Sequence, residues 1–292
     1  MSSTTDAMAK RRFEAPAREA VDRAVFEHPA FAPYRFELDL LTVEHWPDMG
    51  TLNARGCGLK HAGTGRSLRF VEQTPELLAE GLHYETRIFE RGEIPTRADN
   101  WHDLLNALVW MRFPQLKSAL NARQAADVAT VGASERTRGQ CALTHFDEAG
   151  VLVRVSDAHT LALWDAHDWG ALGARAQLDP EALEAHVFGH ALLEHALYPQ
   201  PLLVGKAIAV LAPPEVSTST LVRRVAEGIA AGELLTDPQE LRPLPTALLP
   251  GWHPCSGEAE FLREGECFRP LREGRVYPPA VELDLDVLAG NS

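Results

Sequence analysis

The sequence contains few cysteines and no long apolar run. The cysteines are far apart, form no Cys-x-x-Cys pair, and are Cys57, Cys141, Cys255 and Cys267. No run of about 18 apolar residues is present, which argues against a membrane-spanning helix. The polar start Met1–Thr5 lacks the apolar segment of a secretory signal. Because sparse cysteines without an export signal are typical of a reducing compartment, we expect a soluble, cytoplasmic protein with no membrane partner.

Basic charge is also scarce. The chain carries 41 acidic and 28 basic side chains, for a formal net charge of −13. Nucleic-acid binding needs clustered cations that displace the counterions of the phosphates. The only compact basic run, Lys10–Arg12, lies in a polar segment without aromatic residues for base stacking. We therefore expect no nucleic-acid partner, and we predict a disordered N-terminal tail over residues 1–12.

The remaining composition is that of an ordinary globular protein. Hydrophobic residues make up 45% of the chain and charged residues 24%, enough to bury a core without disulfides or structural metals. A length of 292 residues fits one large domain or two small ones. Because no internal repeat or clear linker is present, we predict a single globular domain over residues 13–292. The sequence gives no indication of the oligomeric state.

Capping residues and periodicity predict five helices. They cover residues 14–27, 100–112, 114–129, 180–197 and 217–231. Asp99 or Asn100 can cap the second helix, and Pro114 suits the first turn of the third. The triplet Asp179-Pro180-Glu181 predicts the start of the fourth, because it combines a capping residue, a first-turn proline and an acid near the positive end of the helix dipole.

Short apolar runs predict strands and one hairpin. Strand or extended signals occur at residues 68–72, 84–90, 202–211 and 260–262. Residues 141–146 and 151–156 flank Asp147–Gly150, a link that suits a four-residue hairpin loop. On that interpretation Asp147 and Glu148 serve the turn and not catalysis. The expected fold class is α+β: a mainly helical single domain with a small antiparallel sheet or hairpin and a loop-rich C-terminal third.

Several segments resemble the bacterial family called domain of unknown function 3025. They are residues 94–97, 100–110, 119–124, 143–150, 188–194 and 248–252. The stretch Trp101-His102-Asp103-Leu104-Leu105-Asn106 is the most specific of them, and the likeness runs from about residue 15 to 275. Gly189-His190 and Glu194 fit the family pattern, whereas His186 is particular to this chain. The resemblance implies family membership and a shared core, but no reaction.

The helix predicted over residues 180–197 carries candidate chemistry. It is apolar nearly all round, so we expect it to be buried. His190 and Glu194 lie one turn apart on one face, with His186 one turn earlier. Residues eight apart are about 12 Å apart along a helix, so all three cannot easily reach one ion. A buried Glu194 needs a partner, which could be a metal, a cation or a histidine.

The helix predicted over residues 100–112 supplies a second polar stripe. His102, Asn106 and Trp110 fall within about 80° of arc, with Asp103 close beside them. These are recognition residues, where an ordinary wet face would carry Lys and Glu. The structural alternative is a capped helix whose polar groups bond to nearby loops. If both stripes face one pocket, a side chain of His102 or Asp103 lies within about 8 Å of His190 or Glu194.

Two function hypotheses remain at this point. The first is an enzyme, a metal-assisted hydrolase or lyase that acts on a small polar molecule at a buried site. Its ligands or acid–base groups would be His102, Asp103, His190 and Glu194, with a divalent metal such as zinc as the cofactor. Asn106, Trp110 and Lys206 would bind substrate. The second is a non-catalytic ligand-binding or scaffold protein in which the same side chains form a structural hydrogen-bond network.

Overall fold

The computed structural model describes residues 13–132, 136–198 and 202–283. The tail predicted over residues 1–12 lies outside this part of the chain, and the single-domain assignment stays a prediction. Helices and strands are both well represented, which confirms the α+β class. In the described ranges, no helix combines the length and apolarity that crossing a bilayer requires.

The described residues contain twelve α-helices. In chain order α1 to α12 are Leu38–Thr42, Met49–Arg55, Pro75–Ala79, Tyr84–Arg91, Trp101–Arg112, Pro114–Val131, Arg138–Ala149, Ala158–Asp165, Trp169–Leu178, His190–His195, Thr218–Ala231 and Ala259–Glu264. The predicted α5, α6 and α11 are confirmed. Asn100 caps α5 by accepting a hydrogen bond from the backbone of Asp103, and Pro114 stands in the first turn of α6.

In the part of the chain that the structure describes, seven strands form two sheets. In chain order β1 to β7 are Arg69–Glu72, Glu93–Thr96, Gly150–Val155, Leu183–Val187, Val204–Leu211, Arg242–Pro245 and Val281–Glu282. β1 and β2 form a parallel pair. The larger sheet has the order β4-β3-β5-β6, with β7 beside β5, and it is mixed: β3 runs parallel to β5 and antiparallel to β4. The predicted strands at 68–72 and 202–211 are confirmed.

The predicted hairpin is wrong. Residues 141–146 belong to α7, which Thr137 and Gln140 start with a reciprocal capping box. The buried residues of α7 follow helical spacing, and only the second half of the expected hairpin, β3, is a strand. Asp147 and Glu148 therefore lie in the last turn of α7 and not in a hairpin turn.

The helix predicted over residues 180–197 is also wrong. Residues 183–187 form β4, because their backbone groups pair with β3, and only residues 190–195 are helical. His186 thus lies on a strand, away from the stripe of His190 and Glu194. Tertiary pairing overrides the local helix signal here.

Three smaller assignments differ as well. Residues 14–27 contain two short 3₁₀ segments, Arg18–Ala20 and Arg23–Glu27, in place of one amphipathic helix. Residues 84–90 form the helix α4, which Gly92 ends in a left-handed conformation. Residues 260–262 lie in α12.

The hydrophobic core joins α5 to the larger sheet. The apolar side of α5 is buried, and every residue of β3 is buried. Helix α10 contacts both α5 and α7. This arrangement brings the start of α5, the end of α7 and the start of α10 to one place.

Candidate functional site

Two histidines meet between α5 and α10. The Nε2 atoms of His102 and His190 lie 3.0 Å apart, and their rings are nearly perpendicular. His190 is buried, with 5% of its side chain exposed, whereas His102 is partly open. Two imidazoles that point the same nitrogen at one spot form a set of converging metal or proton ligands.

A carboxylate stands on each side of this histidine pair. Glu194 Oε2 lies 3.2 Å from His102 Nδ1, and Glu148 Oε2 lies 3.6 Å from His190 Nε2. The Glu148 side chain is 41% exposed, so it faces open space as well as the pair. The prediction that a side chain of His102 or Asp103 lies within about 8 Å of His190 or Glu194 is confirmed.

The chain reaches this arrangement through one close backbone approach. Gly189 precedes His190 and packs on the backbone at the end of α7, where its N–H donates to the carbonyl of Gly150. A Cβ at position 189 would clash with the backbone of Glu148, Ala149 and Gly150. Glycine is needed at this position because no side chain fits between the two segments. The contact places His190 beside Glu148.

Burial and charge give the two imidazoles different pKa values. Burial lowers the pKa of His190 to about 3. Burial also opposes ionisation of His102, but the hydrogen bond to Glu194 and the negative charge of Glu148 outweigh it and raise the His102 pKa. Partial burial is the main cause of the raised pKa of Glu148. Without a ligand, His190 is neutral at pH 7 and can accept a hydrogen bond from His102.

Asp103 is held by a neighbouring cation. It accepts hydrogen bonds from the backbone N–H of Arg97 and from its Nε and Nη2 atoms, at 2.6, 3.0 and 2.7 Å. A carboxylate with this many fixed donors is a poor candidate for a free metal ligand. Asp103 therefore shapes the wall beside the histidine pair, and this differs from the ligand role predicted for it.

A buried ion pair supports the other side of the site. Lys117 Nζ lies 2.6 Å from Asp147 Oδ1, and both side chains are largely buried. Burial opposes ionisation of Asp147, but the charge of Lys117 outweighs it and lowers the Asp147 pKa. Asp147 is thus neutralised by the protein, in contrast to its neighbour Glu148.

The histidine pair opens into a cavity of about 400 Å³. Its lining is mostly polar and comprises Gln73, His83, Tyr84, Glu85, Pro95, Arg97, His102, Asp103, Asn106, Gln124, Arg136, Thr144, Asp147, Glu148 and His190. A polar pocket of this size suits a small polar molecule.

Three residues considered from the sequence lie apart from this cavity. Trp110 is fully buried in the core, and neither it nor Lys206 belongs to the lining. His186 bonds to Glu184 and lines a different cavity. Trp110 and Lys206 are therefore not in a position to bind a substrate held by the histidine pair.

The two histidines and Glu148 form a candidate metal centre. One ligand atom from each lies within 4.8 Å of the others, and this is the one such group of three found among the described residues. In a tetrahedral zinc site with bonds of about 2.0–2.2 Å, neighbouring ligand atoms lie about 3.3–3.6 Å apart. The separations of 3.0 and 3.6 Å bracket that range. Glu194 on His102 Nδ1 corresponds to the outer carboxylate that orients a metal-binding histidine.

Comparison with known proteins matches residues 68–272 to a family described as "Protein of unknown function (DUF3025)". The chain belongs to this family. The match covers the bulk of the chain and includes both histidines, Glu148 and Glu194. No curated protein and no solved structure matches the chain.

Glu148 and Glu85, which this DUF3025 protein places in the cavity wall, are not among the site residues predicted from the sequence. Glu148 was assigned to a hairpin, although the Thr137–Gln140 capping box and the helical spacing of Leu143 and Phe146 mark a helix. Glu85 was assigned to an extended run, although Gly92 at the left-handed position marks the end of a helix.

Proposed function

We propose that this protein is a metal-dependent enzyme that performs hydrolysis or lyase chemistry on a small polar molecule. The observation that carries this proposal is the convergence of His102, His190 and Glu148 on one point at the wall of a polar cavity. Two histidines and one carboxylate are a ligand set that catalytic zinc sites use.

Each residue has a distinct part in the proposed centre. His102 and His190 offer Nε2 atoms, and Glu148 offers one carboxylate oxygen. Glu194 would accept a hydrogen bond from the Nδ1–H of His102 and thereby leave the Nε2 lone pair of His102 free to bind the ion. A divalent ion held there supplies Lewis-acid activation of water or of a substrate carbonyl.

The surroundings support a small polar substrate. Arg97 and Asp103 bind each other, so their wall is fixed before a ligand arrives. Asn106 lies in the same wall, and among the described residues its side-chain oxygen has no hydrogen-bond partner, which supports the substrate-binding role predicted for it. Preorganised polar groups of this kind orient a substrate at low entropic cost.

The test combines metal binding with turnover. Chelator-stripped protein is titrated with Zn²⁺ and Mn²⁺ by calorimetry and is then assayed against a panel of small amides, esters, amidines and hydroxy acids. We expect one ion per chain and metal-dependent turnover, both lost in His102→Ala and His190→Ala. His186→Ala is the matched control, because it removes a histidine–carboxylate pair outside the cavity. Equal turnover by stripped and loaded protein would contradict the proposal.

The non-catalytic alternative predicts a different result. A structural network needs no open coordination position, so stripped protein would show unchanged stability on adding metal, and no substrate of the panel would turn over. The cavity beside the histidine pair favours the enzyme, because a purely structural network gains nothing from facing about 400 Å³ of open space.

A further inference from the structure

A second cluster of polar atoms lines the same cavity and takes no part in the proposed metal centre. It consists of Glu85 and Tyr84, at the start of α4, and Asn106, on α5. Each contributes a hydrogen-bond acceptor. The way in which the protein holds these acceptors indicates the chemistry of a ligand that would bind them.

A buried chain of hydrogen bonds fixes Glu85 from behind. Asn121, 1% exposed, donates from Nδ2 to Glu85 Oε2 at 2.6 Å and to the Glu85 carbonyl at 2.9 Å. His61 Nδ1 accepts from the backbone of Gly63 and Thr64, so its proton is on Nε2, which donates to Asn121 Oδ1. This polarity leaves the Asn121 amide one orientation, with its donors toward Glu85.

The other carboxylate oxygen of Glu85 has no protein partner. In the described ranges Oε1 makes no hydrogen bond, and the residue belongs to the cavity lining. Burial raises the pKa of Glu85 to about 7, with the negative charge of Asp147 adding to it and Asn121 and Lys117 opposing it. The protein thus holds this carboxyl firmly but gives it no cation.

Asn106 provides a second acceptor that has no hydrogen-bond partner among the described residues. The residue is 9% exposed, and its Oδ1 is buried. Its Nδ2 donates to Tyr84 Oη at 3.0 Å. A buried acceptor left unpaired costs free energy, so its retention at a cavity wall points to a ligand that donates to it.

The cations nearby are already engaged or exposed. Arg97 is bound to Asp103 and Lys117 to Asp147. Arg136 lines the cavity with an exposed side chain, where solvent screens its charge. Among the described residues, no lysine or arginine forms an ion pair with Glu85.

We propose that the substrate carries a cationic nitrogen group, an ammonium or guanidinium, and that Glu85 and Asn106 bind it. This rests on the proposed function in one respect, that the ligand of the cavity is the substrate of the metal centre. Such a group donates to both free oxygens, and its charge holds Glu85 in the ionised form.

The experiment uses small probes of matched shape. Binding of methylguanidinium, its neutral analogue N-methylurea, and acetate to chelator-stripped protein is measured by saturation-transfer NMR and calorimetry. We expect methylguanidinium to bind at least tenfold more tightly than N-methylurea. Glu85→Gln should weaken methylguanidinium at least tenfold. Glu90→Gln, the same charge change at an exposed position of α4, should alter it less than twofold.

A variant that binds methylguanidinium more tightly than wild type provides a test that misfolding cannot explain. Asn106→Asp adds a second carboxylate to the lining of the cavity that contains Glu85 and should tighten methylguanidinium binding at least threefold. The proposal is overturned if acetate binds more tightly than methylguanidinium, or if methylguanidinium does not bind. It is also overturned if Glu85→Gln leaves the affinity unchanged in folded protein.

Repeating the titration with zinc-loaded protein separates the two proposals. If zinc binds at the histidine pair and methylguanidinium binds neither form, only the cationic-substrate proposal fails. If methylguanidinium binds stripped protein in a Glu85-dependent manner and zinc does not bind, the metal-enzyme proposal fails and the cation site stands.

Discussion

Two histidine–carboxylate pairs in this protein have the same separation but different surroundings. His102 Nδ1 lies 3.2 Å from Glu194 Oε2, and His186 Nε2 lies 3.2 Å from Glu184 Oε1. The first pair meets a second imidazole and a second carboxylate at a cavity wall. The second pair meets the guanidinium of Arg154, which also binds Glu184.

The difference shows what distinguishes a candidate site from an ordinary polar contact. Arg154 neutralises Glu184, so the pair on β4 is electrically complete. Among the described residues, no lysine or arginine forms an ion pair with Glu148 or Glu194, whose partners are the two imidazoles. A histidine next to a carboxylate is therefore weak evidence by itself, and convergence of a second histidine is the informative feature.

The largest contrast in the free energy of unfolding should come from replacing Lys117, which binds Asp147, and Arg154, which binds Glu184. Lys117→Met leaves Asp147 charged in a largely buried position, which should cost about 3–5 kcal/mol. Arg154→Met leaves Glu184 with 40% of its side chain in solvent and should cost at most about 1 kcal/mol. Denaturant unfolding at pH 7 measures both. Equal losses would show that the burial of the two carboxylates does not differ in energetic terms.

His190 and His186 should contribute very differently to zinc affinity. His190→Ala removes a proposed ligand and should weaken Zn²⁺ binding by about a hundredfold or more. His186→Ala should change it less than twofold. Competitive titration with a chromophoric chelator measures the affinities, and a loss of similar size in both variants would remove the distinction between the pairs.

Glu194 and Glu184 should also differ in the zinc-affinity assay, but by a smaller factor than the two histidines. Glu194→Gln keeps the shape but weakens the orienting hydrogen bond to His102, and should reduce zinc affinity by about 10- to 100-fold. Glu184→Gln should leave it unchanged. An unaltered affinity in Glu194→Gln would mean that Glu194 does not orient a ligand.

The pH dependence of stability should have opposite signs for the cavity acid Glu85 and for Glu184. Burial raises the pKa of Glu85 to about 7, so its protonated form stabilises the fold below pH 4.5 and this contribution is lost as the pH rises through 7. The free energy of unfolding of Glu85→Gln, relative to wild type, should therefore rise by about 2–3 kcal/mol between pH 5 and 8.

Glu184 provides the opposite case. The hydrogen bond from His186, opposed by burial and helped by Arg154, lowers the pKa of Glu184 to about 2. Its stabilising contribution is present above pH 4.5 and is lost as the pH falls toward 2, and solvent exposure limits it to less than about 1 kcal/mol. Thermal unfolding of Glu85→Gln and Glu184→Gln across pH 2–8 checks both signs. If the stability of the two variants relative to wild type changed with pH in the same direction, the proposed difference between the environments of Glu85 and Glu184 would be contradicted.

Local signals in the sequence were sufficient for one half of the site. Asn100 caps α5 and Pro114 starts α6, so the position of His102 on a helix was predictable from neighbouring residues. The spacing of His190 and Glu194 was also correct, because residues 190–195 are helical.

The other half depends on contacts between distant segments. β4 exists because β3 lies beside it, and no local pattern shows that pairing. The position of Glu148 next to His190 follows from the packing of Gly189 on the end of α7. Glu85 gains its environment from Asn121 and His61, which are 36 and 24 residues away in the chain. Such positions follow from tertiary structure and not from periodicity.

X-ray absorption at the zinc K-edge of protein loaded with one equivalent of Zn²⁺ tests the metal centre most directly. We predict a first shell of nitrogen and oxygen at about 2.0–2.1 Å with the multiple-scattering pattern of two imidazoles. One imidazole should disappear in His190→Ala and none in His186→Ala. A shell of oxygen atoms alone, or a sulfur shell from the cysteines, would contradict the assignment of His102 and His190 as the metal ligands.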